Sequence, residues 1–114
     1  MPDPISWYSM SAITADIGTA GSTRFIARQD GFLRRVQVML HAAITGTVET
    51  ITVSIDNGTP VAVGTIPVAS TAEGTNMTPK DLWLPVKKGS NVEVINDGAS
   101  TGVAPATIMV TLSP

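Results

Sequence analysis

The chain has 114 residues, a formal net charge of −2, an apolar fraction of 43% and a charged fraction of only 14%. This length supports one domain with one core, and the small net charge argues against a nucleic-acid or membrane partner. Because the chain has no cysteine, a disulfide framework, a thiolate nucleophile and a cysteine-ligated metal are excluded.

The first residues, MPDPISWYSM, lack the basic region and continuous apolar run of a secretory signal. No apolar run approaches the roughly 18 residues that a membrane helix needs. We therefore expect a soluble protein that is made and kept in the cytoplasm, or assembled there.

Alternation of apolar and polar residues, which is typical of strands with one buried face, recurs along the whole chain. In chain order it predicts strands within residues 5–15, 24–28, 31–42, 50–63, 82–86, 91–95 and 106–112. Residues 15–23 and 69–80 are rich in Gly, Ser and Thr and are expected to be long loops.

The longest predicted strand, residues 31–42, has Arg34 on its apolar side near its start. Its apolar face is expected to hold Phe32, Val36, Val38 and Leu40, opposite Arg35, Gln37 and His41.

Residues 50–63 read as a hairpin, with Ile51, Val53 and Ile55 facing inward and Thr50, Thr52 and Ser54 facing outward. The Asn57-Gly58 pair predicts a type I′ turn with positive φ at Gly58. Val61 and Val63 would then run back beside the first strand.

Three further strands follow. Leu82, Leu84 and Val86 alternate with Asp81, Trp83 and Pro85, and the proline, which lacks an N–H, favours an edge position or a bulge. After the KKGS turn, Val92 and Val94 face inward, and in the last strand Ala106, Ile108, Val110 and Leu112 do the same.

Seven or eight strands with turns at roughly ten-residue spacing are typical of an antiparallel β-sandwich or barrel. The fold class is therefore all-β. Residues 1–14 are expected to form an N-terminal arm or a first strand, and residues 15–114 a single sandwich domain.

Catalytic patterns are missing from the sequence. His41 is the sole histidine and has no acid at short spacing, and the acidic residues are dispersed singly along the chain. Asp56-Asn57-Gly58 lacks the later ligands of a calcium loop. We expect no enzyme, no metal and no cofactor.

Candidate interface residues are the aromatic and arginine side chains Trp7, Tyr8, Arg24, Arg28, Arg35 and Trp83. Trp7 and Tyr8 are adjacent, so in a strand only one of them can enter the core. Trp83 lies opposite Leu82 and Leu84 and is expected to be partly exposed. An exposed Trp can stack on a sugar or anchor a protein partner, and the residues leave open whether Arg24, Arg28, Arg34 and Arg35 form one patch.

Three segments in order resemble the small decoration, or cement, proteins on the heads of tailed bacteriophages. They are TADIGTAGSTRFIARQDGFLRRVQVML, AITGTVETITVSIDNGTPV and VKKGSNVEVINDGAS. In such proteins a Gly-aromatic strand, an AITG link, a TVSIDNG hairpin and a KKGS strand-turn recur in this order. The resemblance covers nearly the whole chain from Ala15 onward.

This resemblance implies a jelly-roll-like sandwich without catalytic residues, found on the capsid surface of a virion assembled in the host cytoplasm. Its expected function is to bind the outer surface of the phage head across joints between major capsid proteins, with contacts between copies or a homo-oligomer. The alternatives are a phage fibre or baseplate component and a carbohydrate-binding β-sandwich module.

Overall fold

The computed structural model describes residues 7–14, 19–41, 49–66, 81–98 and 105–114. These residues form eight strands: β1 (Tyr8–Thr14), β2 (Gly21–Ile26), β3 (Gly31–Leu40), β4 (Glu49–Ile55), β5 (Val61–Ile66), β6 (Leu84–Val86), β7 (Asn91–Asn96) and β8 (Ala106–Ser113). The described part of the chain holds no helix that is long and apolar enough to cross a membrane.

The strands form two antiparallel four-stranded sheets. Sheet I has the order β1-β8-β3-β6, and sheet II has the order β2-β7-β4-β5. Strand β1 pairs with β8, β2 with β7, β3 with β6 and β4 with β5. This nested pairing is that of an eight-stranded jelly roll, so the predicted all-β sandwich is confirmed.

The inner faces of the two sheets form one core, which is aliphatic apart from Phe25. Alternate residues of β8 and β7 are buried, as the sequence pattern predicts. The largest fully buried side chains are Leu33, Leu40, Ile51, Ile108, Leu112, Val36 and Val38. Burial of each such side chain stabilises the fold by about 1.5–3 kcal/mol, so the core holds the sandwich together without disulfides.

A β-bulge in β3 changes which residues of this strand face the core. Leu33 pairs with Leu112, but Arg35 pairs with Thr111, so Arg34 has no partner on β8. The extra residue reverses the alternation. As a result, Leu33 is fully buried and Phe32 is only partly buried. The expectation that Phe32 faces the core is wrong.

The β4–β5 turn is shifted by one residue from the prediction. Asp56 and Asn57 have positive φ angles of 52° and 61°, and the Gly58 N–H donates to the Ile55 carbonyl oxygen at 2.9 Å. Two central residues with positive φ define a type I′ turn. Asp56 and Asn57 therefore take the positions expected for Asn57 and Gly58, and the prediction of positive φ at Gly58 is wrong.

Ser54 also departs from the sequence pattern, because it is buried although it lies on the predicted outward side. Its hydroxyl donates to the Gly58 carbonyl oxygen at 2.8 Å. The turn therefore provides the hydrogen-bond acceptor that the buried Ser54 hydroxyl needs.

Strand β6 is short and lies at the edge of sheet I. Pro85 lies in it, as expected for a residue that cannot donate to a neighbouring strand. Of the two predicted loops, the first ends earlier than expected, because β2 begins at Gly21, and the second, residues 69–80, lies outside the described residues.

Candidate interaction surface

The described residues contain no group of three or more His, Asp or Glu side chains that could hold a metal ion. The His41 ring is exposed, and its Nε2 lies 2.7 Å from the Thr107 hydroxyl oxygen. This contact ties the end of β3 to β8.

The bulge of β3 fixes the position of Arg34. The Arg34 carbonyl oxygen accepts from the Leu82 N–H at 2.8 Å, and the Arg34 Nε donates to the Leu82 carbonyl oxygen at 2.9 Å. The main chain and the side chain of Arg34 are therefore both bonded to the residue that precedes Trp83. A β-bulge commonly redirects a side chain in this way.

Two indole rings lie against the Arg34 guanidinium. Its Cζ atom is 3.5 Å from the centroid of the Trp83 ring and 4.7 Å from that of the Trp7 ring. Phe32 meets Trp83 edge to face, with ring centroids 5.5 Å apart. We call Trp7, Phe32, Arg34 and Trp83 the Arg34 cluster. Trp7 and Trp83 remain 56% and 64% exposed, so the cluster lies at the surface.

The outer face of sheet I carries further exposed apolar residues, which a polar row of Ser9, Thr111 and Arg35 separates from the Arg34 cluster. Ile13 and Met39 flank Thr107 in one row across β1, β8 and β3, and Ile13 is 76% exposed. Met109 lies between Ser11 and Gln37 in the next row. Of the six exposed large hydrophobic residues among those described, Trp7, Ile13, Met39 and Trp83 lie on this face.

The four arginines do not form one patch. Arg35 lies 3.3 Å from Asp81, whereas Arg24 lies on sheet II and pairs with Glu93 at 3.0 Å. The Arg28 guanidinium lies over the Tyr8 ring, 5.1 Å from its centroid. Each arginine is thus held by a different neighbour.

Of the adjacent residues Trp7 and Tyr8, only one enters the core, as predicted. Tyr8 packs against the core, and its hydroxyl accepts from the Arg28 N–H at 2.9 Å. Trp7 is the residue left at the surface. Tyr8 also opens β1, while residues 1–6 of the expected arm lie outside the described residues.

The outer face of sheet II differs in chemistry. Glu93 of β7 lies between Arg24 and Ser54, and Thr52 lies beside Ile95 in the next row. A hydrogen bond from Ser22 and then the Arg24 guanidinium lower the pKa of Glu93 below its ordinary value. On this face Ile26 is exposed at the sheet edge.

A cavity of about 400 Å³ lies at the end of the sandwich, between the β2–β3, β4–β5 and β6–β7 connections. Its polar groups bond to one another. The Asp56 carboxylate accepts from the Ser90 hydroxyl at 2.9 Å and from the Asn91 N–H at 2.8 Å, and Asp30 accepts from the Lys88 N–H at 2.8 Å. These bonds hold the turns in place, so the polar groups of this cavity serve the fold.

Several solved structures share the fold. A chain in the acidic stable capsid structure of the Helicobacter pylori bacteriophage KHP30 superposes with a TM-score of 0.60 at 12% identity, over 96% of this chain and 88% of that chain. The Drosophila NLP core, whose structure concerns pentamer formation and histone binding, superposes with a TM-score of 0.51 at 14% identity, over 96% of this chain and 99% of that chain.

The GH26-CBM35 β-(1,4)-mannanase of Podospora anserina gives a TM-score of 0.54 at 16% identity over 97% of this chain. This chain spans only 28% of that enzyme's length. No protein-family model and no curated protein sequence matches the chain. At these identities the similarities establish the jelly-roll fold alone.

Arg34, the centre of the surface cluster, was not among the interface residues predicted from the sequence. The available signal was an arginine on the apolar side of a strand, which is the pattern that a bulge produces. The approach of Trp7 to Trp83 had no local signal, because it depends on the order of strands in sheet I.

Proposed function

We propose that the chain is a structural protein of a phage virion, and more specifically a non-catalytic decoration subunit on the capsid surface. It binds the outer surface of the head across joints between major capsid proteins. The observation that carries this proposal is the exposed aromatic and aliphatic outer face of sheet I. The shared fold with a chain of the KHP30 capsid structure, over most of both chains, supports it.

The outer face of sheet I has the composition of a protein-binding surface. Trp and Arg are enriched among the residues that dominate binding energy at interfaces, and here Trp7 and Trp83 flank Arg34. One face of a solvated antiparallel sheet is usually polar, so two exposed tryptophans that lie together on an outer face favour a partner.

The mechanism is clamping. A subunit that contacts two shell proteins at once makes its second contact effectively intramolecular, so weak patches add to strong retention. Bound subunits stabilise the shell because they bind the assembled state.

Sedimentation with shells assembled from the cognate major capsid protein tests this function. The double variant Trp7→Ala/Trp83→Ala should lose at least tenfold in retention, which corresponds to about 1.4 kcal/mol of binding free energy. The matched control Ile26→Ala, on the outer face of sheet II, should bind like the native protein. Failure of the native protein to bind shells would reject the proposal.

A carbohydrate-binding module is the second candidate, because both tryptophans are exposed and the fold is shared with a CBM35-containing mannanase. However, the ring faces that Trp7 and Trp83 turn to Arg34 are covered by its guanidinium. Affinity electrophoresis in mannan and xylan gels separates the candidates. Retardation that disappears in Trp83→Ala would favour the module.

A further inference from the structure

We propose that the Arg34 cluster is a receptor for a single carboxylate, supplied by an aspartate or glutamate side chain of the shell protein to which the subunit binds. This inference rests on the proposed function and adds the chemistry of the partner's contact.

The Arg34 guanidinium is held in a fixed position before any partner binds. Its Nε is engaged by the Leu82 carbonyl oxygen, and the Trp7 and Trp83 rings lie against it. A planar guanidinium that is fixed in this way loses little side-chain entropy when it forms further hydrogen bonds.

The terminal Nη nitrogens of Arg34 keep their hydrogen-bonding capacity. Within the described ranges, neither the hydrogen bonds nor the ion pairs give them an acceptor. Arg24 and Arg35 differ, because each has a carboxylate, and Arg28 lies over the Tyr8 ring instead of between two indoles. The guanidinium of Arg34 therefore lacks a carboxylate, which is the group that accepts two parallel hydrogen bonds from an arginine.

The charge of the site matches one carboxylate. Asp81 Oδ1 lies 3.3 Å from Arg35 Nη2, and no carboxylate of the described residues forms an ion pair with Arg34 beside the two indoles. A phosphate dianion would require further cations, whereas a planar carboxylate matches the guanidinium in both charge and geometry.

The surroundings favour a protein carboxylate over that of a sugar acid. Trp7 and Trp83 remain more than half exposed beside the guanidinium, so a partner that covers the cluster buries two indole rings together with the ion pair. A protein surface can cover both rings at once and exclude water from the ion pair, as at the centre of protein interfaces.

The first test is retention on cognate shells. Arg34→Lys keeps the charge but removes the planar fork and should lose at least tenfold, and Arg34→Gln should lose more. Arg35→Gln is the matched control, since Arg35 is the neighbouring exposed arginine, and it should stay within about twofold. Full retention by Arg34→Lys would overturn the proposal.

Modification of the shell tests the partner's side of the contact. Shells whose surface carboxylates are converted to amides with a carbodiimide and glycine methyl ester, and which remain intact by electron microscopy, should retain the native subunit poorly. Arg34→Gln should lose little further on these shells. If the modification of the shells reduced the retention of the native protein and of Arg34→Gln by the same factor, the carboxylate would not act through Arg34.

A shell-independent test separates this inference from the function. In ¹⁵N NMR spectra, glutarate should shift the Arg34 Nε and Trp indole N–H signals saturably, in the native protein and not in Arg34→Gln. Native binding to shells without any glutarate response and without an Arg34→Lys effect would reject only this inference. A response to glucuronate at tenfold lower concentration than to glutarate would overturn the protein partner in favour of a sugar acid.

Discussion

The outer faces of the two sheets have the same backbone geometry and different chemistry. Sheet I presents two tryptophans around a fixed arginine at one end and Ile13 and Met39 at the other, whereas sheet II presents threonine and serine side chains beside the Arg24–Glu93 ion pair. Both inner faces are apolar. The core is built from the inner faces, and the aromatic end of the outer face of sheet I is the feature for which we propose a partner.

The sheets also differ in how their strands are joined. Sheet II contains the β4–β5 hairpin, whereas no two strands of sheet I that are consecutive in sequence are neighbours. Sheet I thus depends on pairings between distant segments, and sheet II has one local pairing to organise it.

The largest expected effect is on the inner face that both sheets share. Leu112 is fully buried beside Leu33, so Leu112→Ala should lower the free energy of unfolding by about 2–5 kcal/mol through lost burial and a cavity. Urea denaturation measures this change. A loss below that of the outer-face variants would contradict the assignment of the core to the inner faces.

The hairpin of sheet II should be the next most sensitive feature. Asn57 has a φ of 61°, a conformation that costs a β-branched residue about 1–2 kcal/mol. Asn57→Val should therefore destabilise the fold by this amount in urea denaturation. Asn57→Gly, the matched control, should leave stability nearly unchanged, and equal losses in both variants would point to a role for the Asn57 side chain.

The outer face of sheet I should matter little for stability. Trp83→Ala removes one cation–π contact and one edge-to-face contact, with an expected loss of about 1 kcal/mol. Ile26→Ala on sheet II should change stability by less than about 0.5 kcal/mol. A loss for Trp83→Ala as large as that for Leu112→Ala would mean that Trp83 belongs to the core.

The smallest expected effect concerns the ion pair of sheet II. Arg24→Gln removes one of the groups that lower the pKa of Glu93, while the Ser22 hydrogen bond remains, so this pKa should rise partway toward its ordinary value. Because the pKa is lowered in the folded state, its stabilising contribution is present above the unfolded value and is lost as the pH falls through the folded value. Arg24→Gln should therefore lose less stability on acidification.

An NMR titration of the Glu93 side chain follows this pKa directly. An unchanged pKa in Arg24→Gln would assign the whole shift to Ser22, and the contrast between the two outer faces would then rest on the aromatic residues alone.

The fold was predictable from the sequence to the extent that its pattern is local. Alternation in β7 and β8 predicted their buried residues. Pro85 predicted an edge position or a bulge, and β6 lies at an edge. The bulge at Arg34 was not predicted, because one inserted residue exchanges the two faces of a strand without changing its composition. The turn at Asp56 and Asn57 was misplaced by one residue because Asp, Asn and Gly all tolerate positive φ.

The surface cluster was predictable only in its parts. Trp7, Trp83 and Arg34 are each recognisable as unusual residues, but they lie in separate segments of the sequence. Their approach requires β3 to lie between β8 and β6, which a pattern of alternation does not specify.

The nested pairing of the jelly roll has a consequence for the rate and order of folding. The β4–β5 turn brings neighbouring segments together, whereas β3 with β6, β2 with β7 and β1 with β8 each close a longer loop around it. Loop closure costs entropy before distant contacts form. We therefore expect the strand pairs to form in order outward from the turn at Asp56 and Asn57. The paired strands would then fold over so that β4 pairs with β7 and β3 pairs with β8. Pulse-labelling hydrogen exchange during refolding should therefore protect β4 and β5 first and β1 last.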